Sequence, residues 1–226
     1  MKIDIAVIHG FSNQLSEERF GPLIKRIGKE LPLAHIIPVN YFDEYPPKEI
    51  RTKIFGGRKG LEEMAEICLR IIEGNRKHAK LIIIGTSLGA LMARVLVEKF
   101  GVLASAVILA GIPNGGVNLK PREKFGLIFS KKKWIKEVRK GSKFLNAMNE
   151  ELKARNLSTK YYLLAGIKDK QVSKESVLAL KSFMHIEAEY VADVSHYEII
   201  PQPKSDPDAS SKVFDLIMKW IKEAAK

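Results

Sequence analysis

Aliphatic runs alternate with amphipathic stretches along the chain, and that alternation predicts a repeating strand–helix order. The most decisive run is Leu81-Ile82-Ile83-Ile84, bounded by Lys80 and Gly85. Four large aliphatic residues without a polar interruption read as a strand buried on both faces, the usual state of a central parallel strand. Beyond Gly89, the residues Leu91, Met92, Val95 and Leu96 recur at helical spacing, so a helix follows at once. Upstream, a first strand leads into the small-residue turn His9-Gly10-Phe11-Ser12-Asn13, then a helix from about Ser16 to Glu30. Ala34 to Val39 reads as a second strand. Asn40 to Arg58 is a polar, irregular connection in which Pro46-Pro47 excludes helix. A helix from about Lys59 to Glu73 then leads into the central strand.

Downstream, Ala104 to Ala110 is a fourth strand that runs into the loop Gly111-Ile112-Pro113-Asn114-Gly115-Gly116. Tyr161 to Gly166 and Ile186 to Ala192 are the fifth and sixth, with a short helix from about Ser173 to Phe183 between them. A last helix starts near Asp206-Pro207-Asp208 and carries Val213, Phe214, Ile217, Ile221 and Ala224 on one face. Six short strands interleaved with helices predict an α/β fold, a doubly wound and mostly parallel sheet covered on both faces. Ligands of such sheets bind beyond the carboxyl ends of the strands, where strand order reverses. Three loops meet that edge: His9-Gly10-Phe11, the turn after Ile84, and Gly111 to Gly116.

The turn after Ile84 is Gly85-Thr86-Ser87-Leu88-Gly89. Passing from strand to helix with almost no loop strains the central residue and requires small neighbours. Between a buried strand and a helix, Gly-x-Ser-x-Gly is a strong signal for a nucleophile elbow. It exposes Ser87 at the strand's carboxyl end and puts the Leu88 amide at a helix N-terminus, which favours negative charge. A serine hydroxyl needs a base within hydrogen-bond reach, and the base needs an orienting partner. Among the five histidines, His9 ends the first strand and His35 begins the second. His78 and His185 fall at the amino ends of strands, away from Ser87. His196 follows the sixth strand on the correct edge and is the expected base. Asp169, after the fifth strand, is the expected acid, with Asp193 as the alternative and Asp43 and Glu44 as solvated loop charges.

Composition narrows the class further. The 226 residues suffice for one α/β domain and are short for two, and no internal repeat is present. The chain enters its first strand without a signal-peptide apolar stretch, and no run reaches the length of a membrane span. One cysteine, Cys68, cannot form an intrachain disulfide and falls on the apolar face of a helix. A cytoplasmic protein is the expectation. The net charge of +12 is concentrated between Lys120 and Lys143, where ten basic residues face only Glu123 and Glu137. Two readings of this insertion stand. One is a solvated, lysine-rich cap packed on a pocket by Phe125, Leu127, Ile128 and Trp134. The other is a surface around Lys131-Lys132-Lys133-Trp134 that docks on an anionic membrane. No recognition motif accompanies the charge, so nucleic acid is not an expected partner.

The order Ser87, Asp169, His196, the elbow and the early His9-Gly10-Phe11 resemble the α/β-hydrolase fold family. The chain is most similar to its small lipase and serine-esterase branches. There the strand after the elbow ends in a Thr-Pro-His-x-Gly-like loop, matched by Ile112-Pro113-Asn114-Gly115-Gly116, and the acid lies in a Gly-x-x-Asp-x-x-Val turn, matched by Gly166 to Val172. Ser142 to Asn149 also resembles the Ser-x-Phe-Leu-x-x-Leu-Asn segment near their caps. Thr86 departs from the histidine that often precedes the nucleophile, and Asn114 from the histidine of the loop.

The resemblance covers essentially the whole chain and implies a minimal version of the fold, lacking two amino-terminal strands. It implies one domain, residues 1–226, with a basic lid or cap at about 117–157. It also implies an oxyanion hole from the backbone amides of Phe11 and Leu88, and substrate contacts from Thr86, Ile112, Phe125 and Trp134. The expected activity is a carboxylesterase working through an acyl-enzyme on Ser87, with a small acyl ester as substrate and no metal or organic cofactor. Lipase, thioesterase and acyltransferase chemistry would use the same residues. A catalytically silent lipid- or partner-binding protein is the alternative of a different class.

Overall fold

The computed structural model describes residues 2–10, 17–41, 60–117, 133–153, 157–200 and 207–226. Its six strands are β1 (Ile3–Ile8), β2 (Ala34–Val39), β3 (Leu81–Thr86), β4 (Ala106–Ala110), β5 (Lys160–Gly166) and β6 (Ala188–Ala192). They form one sheet in the order β2-β1-β3-β4-β5-β6, and every neighbouring pair is parallel. Strand order reverses between β1 and β3. Doubly wound sheets bind their ligands beyond the ends of the two strands at such a reversal.

Among the described residues, seven helices cover the sheet: α1 (Glu17–Glu30), α2 (Leu61–Asn75), α3 (Leu88–Glu98), α4 (Lys133–Glu137), α5 (Lys143–Lys153), α6 (Lys174–Leu178) and α7 (Pro207–Ala224). Successive side chains of a strand leave on opposite faces, which explains why the strands are apolar throughout. Ile83, Val107, Leu109 and Leu163 pack against Met64 and Cys68 of α2 and Leu91 and Val95 of α3. Ile82, Ile84, Ile108 and Leu164 face the other way, onto Phe20 and Leu23 of α1 and Val213, Ile217 and Trp220 of α7. Helix α3 is buried all round, as its near-continuous apolar sequence requires.

Element boundaries move by one or two residues from the sequence expectation. The helix expected to run to Phe183 is α-helical only to Leu178 and continues as a 3₁₀ turn over Ala179–Ser182. That turn places Leu180 in the core, and the amide of Phe183 closes it on the Leu180 carbonyl at 3.0 Å. No helix among the described residues is long and apolar enough to cross a membrane.

The insertion between β4 and β5 is tied to the core by buried polar contacts as well as apolar ones. Glu137 of α4 accepts the Leu61 amide at 2.6 Å, supplying from another element a partner for an unpaired donor at the start of α2. Trp134, 8% exposed, packs into the α2–α3 side of the core. Phe125, Leu127, Ile128 and Lys131-Lys132 lie outside the described residues.

At the opposite, amino edge of the sheet, Asp4 carries a buried carboxylate that accepts the amides of Lys77 and His78, each at 2.9 Å. His35 Nδ1 is 3.1 Å from its other oxygen. Burial works to raise the Asp4 pKa, but the two amides and His35 outweigh it and hold the group below its ordinary value of 3.8. A lowered carboxylate pKa stabilises the fold above the unfolded value and loses that contribution as pH falls through the folded one. Asp4→Asn is expected to cost about 1–3 kcal/mol near neutral pH. The gap from the parent should narrow below about pH 4, and urea denaturation at pH 7 and pH 3 reads both. A gap that stays constant with pH would contradict this assignment.

Candidate active site

The elbow forms because two glycines allow three backbones to meet. A Cβ at Gly85 would lie 2.6 Å from Ala90 Cα in α3, and one at Gly89 would lie 2.4 Å from the carbonyl oxygens of Ile8 and His9 at the end of β1. With both contacts open, β3 turns straight into α3 at Ser87. Ser87 has φ 51° and ψ −117°, the one positive φ of a non-glycine residue among the described residues. Its amide is fixed to the Ala110 carbonyl at 2.8 Å. This conformation costs of order 1–3 kcal/mol and persists because the surrounding sheet over-determines it. It sets Oγ at the carboxyl edge. The Leu88 amide heads α3, and as the first residue of a helix it has no intrahelical acceptor.

His196 and Asp169 arrive from the two turns that follow β6 and β5. The turns lie side by side, with the amide of Ile167 on the Ala192 carbonyl (2.8 Å) and that of Lys168 on Val194 (3.1 Å). His196 Nε2 is 3.0 Å from Ser87 Oγ, and its Nδ1 is 2.6 Å from Asp169 Oδ2. The other Asp169 oxygen accepts the amides of Gln171 and Val172 at 2.9 and 2.8 Å. A carboxylate accepts only, so the imidazole proton sits on Nδ1 and Nε2 offers a lone pair to the serine hydroxyl. The Asp169 side chain is fully buried, and the His196 side chain is 8% exposed. The carboxylate thus acts on the imidazole largely out of competition from water.

The remaining candidates are placed elsewhere. Asp193 is two-thirds exposed and bound to Lys168 Nζ at 2.8 Å, facing solvent instead of His196. His35 and the His78 amide gather around Asp4 at the amino edge, and His185 precedes β6 at that same edge. His9 lies buried at the end of β1 beside the elbow. Thr86 is buried at the end of β3, and its hydroxyl has no hydrogen-bond partner among the described residues. Ile112 is buried in the core beside the β4 loop. Phe11 and Phe125 fall outside the described residues. Among those described, no three His, Cys, Asp or Glu side chains are grouped to hold a metal ion.

Several residues that shape the site escaped the sequence reading. Glu198 accepts the Ser195 amide at 3.0 Å and its hydroxyl at 2.6 Å, pinning the turn that carries His196. The spacing Ser195-x-x-Glu198 is that of a capping box and was legible. Ser176 of α6 accepts the Gly115 amide at 3.0 Å and donates to the Gly116 carbonyl at 2.8 Å, fastening the β4 loop to the helix after the acid's turn. The same loop is held from the other side by Arg94 of α3. Arg94 is wholly buried, pairs bidentately with Glu98 at 2.7 and 2.8 Å, and bonds the side-chain oxygens of Asn114 and of Asn149 in α5.

The chain matches no family model and no curated protein by sequence. Its structure is similar to a monoacylglycerol lipase of Paleococcus ferrophilus, with a TM-score of 0.67 at 15% identity over 98% of this chain and 94% of that one. An esterase of Pyrococcus furiosus superposes with a TM-score of 0.63 at 16% identity, over 98% and 81%. The mouse alpha/beta hydrolase domain-containing protein 10 does so at 0.64 and 13%, over 97% and 90%. At such identities the likeness is one of architecture, and it identifies the architecture of this chain as the α/β-hydrolase fold.

Proposed function

We propose that this chain is a serine hydrolase that cleaves carboxylic esters. The observation that carries the reading is the unbroken hydrogen-bond chain from buried Asp169 through His196 to Ser87, ending on a serine held at positive φ. In the first half-reaction His196 Nε2 takes the hydroxyl proton as Ser87 Oγ bonds to the ester carbonyl carbon. The carbonyl oxygen becomes an oxyanion facing the Leu88 amide, with the Phe11 amide as the second donor by resemblance to the family. The tetrahedral intermediate collapses, His196 gives its proton to the departing alcohol, and an acyl-Ser87 ester remains. Water, deprotonated by the same nitrogen, then releases the acid and regenerates Ser87. Asp169 holds the imidazole tautomer and stabilises the imidazolium that forms in each half.

A lipase or esterase named among the structural neighbours fits this chemistry, and the length of the acyl chain separates the two activities. The test is labelling with a fluorophosphonate followed by peptide mapping, together with hydrolysis of p-nitrophenyl esters of increasing chain length. Label on Ser87 with turnover is the expected result. A folded chain that neither takes the label nor turns over ester would remove the reading and favour a silent binding protein.

A further inference from the structure

Tyr41, two residues past β2, has no assigned part in the chemistry, yet it is bonded to the backbone that lies over the nucleophile. It is 1% exposed, and its ring stacks on the buried His9 ring, centroids 4.2 Å apart and planes 9° from parallel. Its hydroxyl is 3.1 Å from the Gly10 carbonyl oxygen and 3.3 Å from that of His9, so one proton is shared between two acceptors. His9 Nδ1 adds a contact of 2.6 Å to the same Gly10 oxygen. Burial holds the Tyr41 pKa well above its ordinary value, which keeps the hydroxyl a donor.

Gly10 itself lies against the elbow. A Cβ there would stand 3.1 Å from Ser87 Cβ, 3.3 Å from the Thr86 carbonyl oxygen and 3.7 Å from Ser87 Oγ. Gly10 is thus next to the hydroxyl that attacks. The Tyr41 hydroxyl therefore fixes the direction in which the Gly10 carbonyl points. A glycine peptide rotates more freely than any other. Rotated, it would aim a carbonyl oxygen where negative charge develops, a repulsion that a water-poor site magnifies.

We propose that Tyr41 is a positioning residue that locks the Gly10 carbonyl beside Ser87, keeping that oxygen turned away from the oxyanion. The inference rests on the serine-hydrolase reading. Tyr41→Phe retains the ring and its stacking and removes only the hydroxyl. For a soluble p-nitrophenyl ester, kcat is expected to fall about tenfold or more, short of the ~100- to 1000-fold lost with an oxyanion donor itself. KM should stay within about threefold, because the interaction matters in the transition state. Phosphonylation of Ser87 should slow in parallel, since the phosphonyl oxygen takes the place of the oxyanion.

A merely structural role would lower the melting temperature and leave kcat per folded molecule unchanged. That result overturns the proposal. Where Tyr41→Phe fails to fold, p-aminophenylalanine and p-methylphenylalanine at position 41 supply the same bulk with and without a donor. The amino form is expected to recover most of the rate, and equal rates in the two overturn the proposal. A parent chain that takes no fluorophosphonate at all removes the hydrolase reading and this inference with it. A labelled parent with an equally fast Tyr41→Phe variant removes this inference alone.

Discussion

Ser87→Ala and His196→Ala are each expected to lower kcat for a p-nitrophenyl ester by about 10⁴-fold or more, with the fold intact. The size follows from how the two groups are joined. Without His196 the Ser87 hydroxyl loses its 3.0 Å proton acceptor, and without Ser87 that acceptor has no nucleophile to activate. The double variant should therefore be scarcely slower than either single one. Asp169→Asn belongs to the same unit for a different reason. An amide nitrogen 2.6 Å from His196 Nδ1 would donate where the carboxylate accepted, forcing the imidazole proton onto Nε2 and the lone pair away from Ser87. A loss of about 10⁴-fold in kcat is expected there too. Asp193→Asn should leave kcat within about twofold, because its carboxylate faces solvent on Lys168. Steady-state kinetics of these variants, with circular dichroism to check folding, decide the matter. If Asp193→Asn proves the more damaging, the acid is misassigned.

How much of this was legible in the sequence depends on the range of each interaction. The elbow is local: Leu81 to Gly89 encodes a buried strand, a tight turn and a helix within nine residues, and Ser87 stands where that pattern puts it. The edge on which His196 and Asp169 fall followed from counting strands, since parallel order alone decides which end of a strand a loop occupies. Tyr41 was not legible. Its partners are 31 and 32 residues away, and an aromatic residue after a strand signals only core. Arg94 was hidden by its own helix, where a lone basic residue among aliphatic ones reads as a side chain that reaches out to water. Asn114 shows both sides. The sequence marks it as a departure from a family histidine, while the arginine that holds it becomes visible only when α3 and the β4 loop are brought together.

Arg94→Met is accordingly expected to destabilise the fold by about 3–5 kcal/mol, the cost of taking the bidentate cation from a buried carboxylate. Arg94 has no exposed surface and Glu98 almost none, so solvent screening does not rescue the carboxylate. Replacing both with methionine removes the buried charge, and Arg94→Met/Glu98→Met should recover half or more of the loss. The remainder is expected to be about 1–2 kcal/mol, because the side-chain oxygens of Asn114 and Asn149 lose the guanidinium they accept from. Urea denaturation of the parent, both single variants and the double variant closes a mutant cycle, and a coupling of at least 1 kcal/mol is expected between residues in direct contact. An Arg94→Met variant within 0.5 kcal/mol of the parent, roughly the range of an ordinary surface substitution, would mean that water reaches the pair. The loop holding Asn114 would then be secured by Ser176 and the apolar contacts of α5, not by charge.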